Sequence, residues 1–376
     1  MAVLEIVFWA AVALLVYTHA GYPLLLLALS RLRGPRESAP GPGGPPSVSL
    51  TVAAHDEADV IGHWVEMALA LDYPAELLEV VVACDGCTDD TAERARAAGA
   101  HRVLELERGG KVAALNAAAA ESRGAVLAFS DANSSWRPDA LRLLVARLGT
   151  EGVGYVCGQV RFTATEGGDN EEGLYWRYEM AVREMESSLG GITAGNGAIN
   201  AIRREAYIAL EPTSGQDISF PFELAKRGWR AVYEPRATAS EPMAPTIEGE
   251  FRRKRRMMAG AWNTILHTGL LSPRGYGPLY ALEIYSHRLL RYATPLFHLV
   301  ALATNLALLG EGTIYVVTLA ALLGLAGAAL IAGAVLLRPL RIARYYAAVT
   351  AASAVGLWDL LRDGVPRTWE RVEGTR

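Results

Sequence analysis

From Val3 to Leu29 the chain carries a single formal charge, Glu5. That run exceeds the ~20 apolar residues a membrane helix needs, so it predicts a spanning helix over residues 1–33. A secretory signal peptide is disfavoured, because no basic segment precedes the run and it continues well past Ala20. Arg31, Arg33 and Arg36 follow at once. By the positive-inside rule they place the N-terminus outside and the chain from residue 36 onward in the cytoplasm.

The other end repeats the pattern. Tyr292–Leu309 and Thr313–Leu337 are each long enough to span, and Arg338, Arg341 and Arg344 mark a second cytoplasmic boundary. Tyr345–Leu361 is shorter, contains Asp359 and precedes Arg362, Arg367 and Arg371. A full span there would put those arginines outside, so a re-entrant or interfacial helix fits better. Tyr280–Arg291 sets Glu283, His287, Arg288 and Arg291 among apolar residues and reads as a helix lying in the membrane surface.

Between these ends lies a soluble region. Over the whole chain, hydrophobic residues make up 51% and mean hydropathy is +0.18, yet 20% of residues are charged, which is too many for a protein buried in lipid throughout. The net charge of −4 gives no general attraction for nucleic acid. Three cysteines, Cys84, Cys87 and Cys157, are too few for a disulfide framework. The Cys84–Cys87 pair lacks the second pair or histidines of a zinc site, so all three read as ordinary reduced thiols.

Residues 34–46, rich in Pro and Gly, read as a linker. Beyond it, short apolar runs alternate with helical stretches. SLTVAA (49–54), EVVVAC (79–84), RVLEL (102–106) and AVLAFS (125–130) predict strands; 60–71, 88–98 and 111–122 predict the helices between them. The expected fold is therefore α/β, with a mainly parallel sheet and helices on both faces. Ligands of such sheets bind beyond the C-terminal strand ends. His55-Asp56-Glu57, Asp85 and Asp131 all fall there. One aspartate after a strand is turn chemistry; three acidic clusters on one edge indicate a site.

At this point the residues resemble a known group. AHDEADVI, ACDGCTDDT, GGKVAALNAA, SDANS, GNGAINAIRR, GQDISF and RRKRRMMAG occur in the order found in membrane-anchored family 2 glycosyltransferases, of the cellulose, hyaluronan and poly-N-acetylglucosamine synthase-like group. The resemblance covers residues 47 to 265 and implies an A-type glycosyltransferase (nucleotide-diphospho-sugar transferase) fold over 47–270, flanked by transmembrane helices. Residues 271–376 would form the interfacial helix, the C-terminal spans and a short cytoplasmic tail.

Residue by residue, the resemblance implies a donor-binding set of Glu57, Asp85, Lys111, Asp131, Arg253 and Arg256. Asp131 and Asn133 stand at the ends of a D-x-D-like motif that holds Mg²⁺ or Mn²⁺ against the donor diphosphate; oxygen ligands suit these hard cations. Lys111, after Gly109-Gly110 at a helix start, also reads as a phosphate-binding arrangement. Asp217 is the implied general base, with Gln216 replacing the first acid of the usual pair; an N-cap role is the alternative. Asn196 and Gly197 would line the acceptor side, glycine permitting close backbone approach to a sugar, although Asn196 also suits a turn. Asp89 and Asp90 read as helix N-terminal carboxylates. The basic run 252–256 suits anionic headgroups as well as a leaving diphosphate. Tyr175–Tyr178 suits either a stacking platform or a buried helix face.

The implied function is an inverting transferase at the cytoplasmic face of the inner membrane. It moves a sugar from a nucleoside-diphosphate sugar, expected to be UDP-linked, to a lipid-linked or polysaccharide acceptor, with membrane lipids and envelope-biosynthesis proteins as partners. A processive exopolysaccharide synthase is the alternative, weakened because Met257 stands where polymerising relatives carry Trp. A non-catalytic nucleotide-sugar-binding component is the remaining one. A P-loop ATPase or dinucleotide enzyme is disfavoured, since neither glycine motif is present.

Overall fold

The computed structural model describes residues 1–34, 44–163, 172–242, 247–331 and 338–365, with side chains left out at 172–176, 247–250, 252–253, 328–331 and 338–341. Most of the linker (35–43) and the tail beyond 365 lie outside the described residues.

Eight strands form one sheet: β1 (Val48–Ala54), β2 (Leu78–Asp85), β3 (Arg102–Leu106), β4 (Val126–Ser130), β5 (Ser135–Trp136), β6 (Val153–Thr163), β7 (Ile199–Arg203) and β8 (Arg230–Pro242). The order is β3-β2-β1-β4-β7-β6-β8-β5. Pairings among β1 to β4 are parallel, as the strand–helix alternation requires. The second half is mixed: β7 runs antiparallel to β4 and β6, β6 pairs β8 in parallel, and β5 closes the far edge antiparallel to β8.

Alternation along the strands divides the core. Val48, Leu50 and Val52 of β1 pack with Ile61, Trp64, Leu141 and Leu144 on one face. Leu127 and Phe129 of β4 turn to the other, against Leu115, Phe220 and Leu224. Each such side chain contributes about 1.5–3 kcal/mol on burial. The face that carries Leu115 and Phe220 also holds the helices Lys111–Glu121 and Gln216–Lys226, both of which begin at the C-terminal sheet edge.

The N-terminal helix runs from Ala2 to Arg33 through a π-helical turn at Tyr17–Gly21. Its two halves do different things. Phe8 and Ala11 pack on Ala301, Leu308 and Tyr315, while Tyr22 and Leu26 pack on Val182 and Leu189 of the helix Glu172–Leu189. Among the described residues it is the one helix both long and apolar enough to cross a membrane. The two C-terminal spans expected from the sequence are not seen as such. Thr294–Ala307 has 14 residues, about 21 Å at 1.5 Å per residue, and Thr313–Ile331 runs into residues outside the description.

The segment read as an interfacial helix also differs. Pro278–Glu283 and Ile284–Leu290 bury Glu283, His287 and Arg288 inside the protein, where His287 Nδ1 lies 2.7 Å from Glu186 Oε1. The partners of His287 and Arg288, Glu186 and Thr193, come from about a hundred residues earlier. The last helix, Arg338–Asp363, packs along Ile247–His267. Trp262 donates from Nε1 to the Ser353 carbonyl at 3.0 Å, and Arg255 donates to Asp359 at 2.7 Å. The polar residue that shortened this apolar run is thus an ion-pair partner.

Candidate functional site

The parallel register levels the strand ends, with Ala54 opposite Cys84 and Val52 opposite Ser130. The loops after β1, β2, β3 and β4 therefore converge on one edge. Asp85 ends β2 with a buried side chain, and its carboxylate accepts from Gly109 N at 2.7 Å, Gly110 N at 3.1 Å and Arg108 Nη1 at 3.2 Å. Gly110 adopts φ +97°, which a side chain would strain. The glycine pair expected to cradle phosphate thus presents its N–H groups to Asp85, which fixes the start of Lys111–Glu121.

Lys111, the first residue of that helix, turns its ammonium onto Asp131 Oδ1 just past β4. Burial opposes the charge on Lys111, but Asp131, Asp217 and Glu241 outweigh it and raise its pKa. One ammonium thus stands among three carboxylates. The residual negative charge suits a hard divalent cation beside Asp131, whose carboxylate is the oxygen donor there. Asn133 lines a cavity of about 340 Å³ with Asp59, His63 and Trp64.

Asp217 is the second residue of Gln216–Lys226, with Gly215 as N-cap, so the N-cap alternative for Asp217 fails. Its carbonyl accepts from Gly195 N at 2.7 Å, and its Oδ1 is buried without a hydrogen-bond partner among the described residues. Burial raises its pKa; Lys111 and Arg183 pull it back, and Asp131 pushes it up further. The like charge lost at Gln216 is therefore supplied by Asp131 instead.

The loop 194–198 closes over this group. A Cβ on Gly197 would lie 2.8 Å from Gln216 Nε2, 3.0 Å from Lys111 Nζ and 3.6 Å from Asp131 Oδ1, so the expected acceptor-side glycine touches the donor-side residues. A Cβ on Gly195 would overlap the Tyr155 hydroxyl. Packing inside the protein requires glycine at Gly195, whereas at Gly197 the neighbours are the ends of flexible side chains. Asn196 spends its amide on the flanking strands, donating to Gly158 O of β6 at 2.8 Å and accepting from Ile199 N of β7 at 2.9 Å.

Other expected residues lie further out. Glu57 is buried, and its backbone N–H donates to Thr91 Oγ1 at 2.9 Å. Asp89 does not sit in a first helical turn, because the helix begins at Thr91 with Asp90 as N-cap; Asp89 accepts from Thr91 N at 3.0 Å and Ala58 N at 3.2 Å, tying two helix starts together. Its carboxylate, with Asp56 and Cys87, forms the cluster of metal-ligand type found among the described residues, yet Asp56 also accepts from Thr88 N. Arg256 is exposed on Ile247–His267, and the Arg253 side chain lies outside the description. The rings of Tyr175 and Trp176 do so too, whereas Tyr178 stacks under Arg291 at 5.3 Å.

Two contributors escaped the sequence. Arg183 donates to Gly195 O at 3.3 Å and its charge acts on Asp217. Glu241 accepts from Ser134 and acts on Lys111. On a helix face or near the end of a strand, either residue looks like solvated charge.

A family profile described as glycosyltransferase like family 2 matches residues 45–260. The chain is 27% identical over 220 residues to glycosyltransferase AglE of Haloferax volcanii, covering 56% of this chain and 70% of that protein. It is 26% identical over 320 residues to beta-monoglucosyldiacylglycerol synthase of Synechocystis sp., covering 78% of this chain and 65% of that one; of the Nostoc sp. enzyme of the same name it spans 51%. Among solved structures it resembles mannosyltransferase PcManGT from Pyrobaculum calidifontis, in complex with GDP-Man and Mn²⁺. The TM-score is 0.72 at 27% identity, over 94% of this chain and 99% of that one.

Proposed function

The chain belongs to glycosyltransferase family 2, and from that premise we propose that it is an inverting, metal-assisted enzyme working at the cytoplasmic face of the inner membrane. Family membership makes it a nucleotide-sugar-dependent glycosyltransferase with an A-type α/β fold. The finer reading is that it moves a sugar from a UDP- or GDP-linked donor to a lipid-linked or saccharide acceptor. The carrying observation is Asp217: a carboxylate with a raised pKa whose buried Oδ1 has no hydrogen-bond partner among the described residues, and Lys111 and Asp131 close enough to act on it.

Asp217 takes the proton of the acceptor hydroxyl as that oxygen attacks the anomeric carbon. A carboxylate with a raised pKa is a stronger base than an ordinary one. Lys111 and Arg256, with Arg253, balance charge on the departing diphosphate, and Asp85 holds the Gly109–Lys111 turn in place for it. Asp131 would hold the divalent cation, which when bound neutralises the diphosphate as charge develops there. Mn²⁺ in the PcManGT complex supports that choice.

The apolar helices support membrane attachment by more than the first helix. His19 Nε2 lies 3.4 Å from Thr294 Oγ1, while Phe8 meets Tyr315 at 5.4 Å between rings, so the N-terminal helix and Thr294–Ala307 run antiparallel. Glu5 and Glu311 then share one end, Glu5 lying roughly 21 Å from His19 at 1.5 Å per residue, which is shorter than the ~30 Å of a hydrocarbon core. Ile6, Trp9, Leu299, Leu306, Val316 and Val317 are exposed between those ends. The diacylglycerol in the name of one relative supports a lipid acceptor. Met257, exposed on the basic helix, offers no stacking surface of the kind a processive polymerase uses.

The test is product analysis. The full chain in lipid nanodiscs is supplied with UDP-glucose, UDP-N-acetylglucosamine or GDP-mannose plus Mn²⁺, and the lipid extract is read by mass spectrometry and anomeric NMR. One added sugar with inverted configuration supports the reading. Retained configuration, or a long polymer, contradicts it.

A further inference from the structure

A chain of buried hydrogen bonds runs from the N-terminal helix to the loop behind Asp217. Tyr22 of that helix donates its hydroxyl to Glu186 Oε1 at 2.6 Å. The other oxygen of the carboxylate, Oε2, accepts from Thr193 N at 3.2 Å and from Thr193 Oγ1 at 3.1 Å. Arg288 Nε donates to the same Thr193 hydroxyl at 2.8 Å. Glu186 and Thr193 are both fully buried. Thr193 is thus held by its backbone and by its side chain at once.

The residues around Thr193 are held through their main-chain groups. Ile192 N donates to Ala231 O at 2.8 Å, and the Ile192 carbonyl accepts from the Tyr280 hydroxyl at 3.2 Å. Two residues beyond Thr193, Gly195 N donates to the Asp217 carbonyl at 2.7 Å. A hydroxyl that donates to a carboxylate and accepts from a guanidinium makes two charge-assisted bonds, the stronger class. In a buried site the partners left behind by its removal carry the full cost of desolvation. The ion-pair network therefore sets the position of Thr193, and the short run to Gly195 passes that position to Asp217.

We propose that Thr193 is a positioning residue for Asp217, and that Tyr22, through Glu186, makes the N-terminal helix a working part of the site as well as an anchor. Thr193 is buried out of reach of donor and acceptor; it acts by fixing where Gly195 presents its N–H. The inference rests on the reading of Asp217 as the general base.

The experiment uses three variants of the full chain in lipid nanodiscs, each made alone and together with Asp217→Asn. Thr193→Val keeps the side-chain shape and removes the hydroxyl, Thr193→Ser keeps the hydroxyl, and Tyr22→Phe removes only the first bond of the chain. Nucleoside-diphosphate release with Mn²⁺ and UDP-glucose, UDP-N-acetylglucosamine or GDP-mannose gives kcat and donor KM. Hydrogen exchange read by mass spectrometry reports on residues 191–198. Thr193→Val should lower kcat by about 10- to 100-fold at unchanged donor KM, the scale of a misplaced reacting group, and should speed exchange in that segment. Tyr22→Phe should act in the same direction to a smaller degree, and Thr193→Ser should restore most of both readouts. In the Asp217→Asn background Thr193→Val should lower turnover no further, because a residue that acts through the base has nothing left to position. Equal losses in the two backgrounds overturn the inference. So does unchanged exchange in Thr193→Val, or a Thr193→Ser variant as impaired as Thr193→Val. Wild-type turnover by Asp217→Asn alone is a separate result, which removes the base reading itself.

Discussion

The backbone N–H of Gly195 donates to the carbonyl of Asp217 at 2.7 Å, while Arg183 donates to the Gly195 carbonyl from the other side. The proposed base is thus fixed through the main chain of the acceptor-side loop, and its carboxylate is left free of that task. Asp217→Asn keeps the backbone contact and removes only the basicity. Turnover with the donor should fall by about 10²–10⁴, the usual contribution of a general base, with donor KM nearly unchanged. Steady-state kinetics on both parameters checks this.

The pH dependence follows from the same site. Burial and Asp131 raise the Asp217 pKa, so the acidic limb of kcat/KM should lie above the ordinary aspartate value of about 3.9. Activity rises with pH through that limb, because the base works ionised. Arg183 stabilises the ionised form; Arg183→Gln should move the limb to higher pH. A limb that moves down or stays put in that variant contradicts the assignment.

Gly195 and Tyr155 form a size-matched pair. Adding a Cβ at Gly195 overlaps the Tyr155 hydroxyl and approaches Cζ to 2.9 Å. Gly195→Ala should cost about 1–3 kcal/mol of stability through overpacking, and Tyr155→Phe should recover part of it by removing the oxygen. Thermal denaturation of the two single variants and the double variant measures the coupling.

Glu283 is a buried carboxyl whose two oxygens lack hydrogen-bond partners among the described residues. Burial, then the nearby Glu186, pushes its pKa well up. A raised folded pKa means the native state binds the proton more tightly, so wild type loses stability as pH climbs above the unfolded glutamate value of about 4.3. Glu283→Gln removes that loss. The melting temperature of the variant should overtake that of wild type progressively toward neutral pH, and equal pH slopes would contradict the assignment.

The first four strands were legible because apolar runs of five or six residues alternate with helical periodicity, and that alternation permits few topologies. The antiparallel insertion of β7 between β4 and β6 was not, since pairing partners dozens of residues apart leave no periodic mark. Lys111, Asp131 and Asp217 are brought together across more than a hundred residues, which only the order of motifs implied. The roles of Asp85 and Asn196 read differently in the fold, because a polar side chain in a loop serves its own backbone as readily as a ligand. His287 and Arg288 read as lipid-surface residues for a related reason: a polar group on an apolar helix fits an interface or an internal partner equally, and Glu186 and Thr193 are far away in sequence.

The most direct test of the central claim is nucleoside-diphosphate release by the purified full chain with UDP- and GDP-sugars, with and without Mn²⁺, beside Asp217→Asn and Asp131→Ala. The account predicts metal-dependent release from one donor, strongly reduced in both variants while each keeps its thermal transition. Release that proceeds equally without metal, or unchanged in Asp217→Asn, would contradict it.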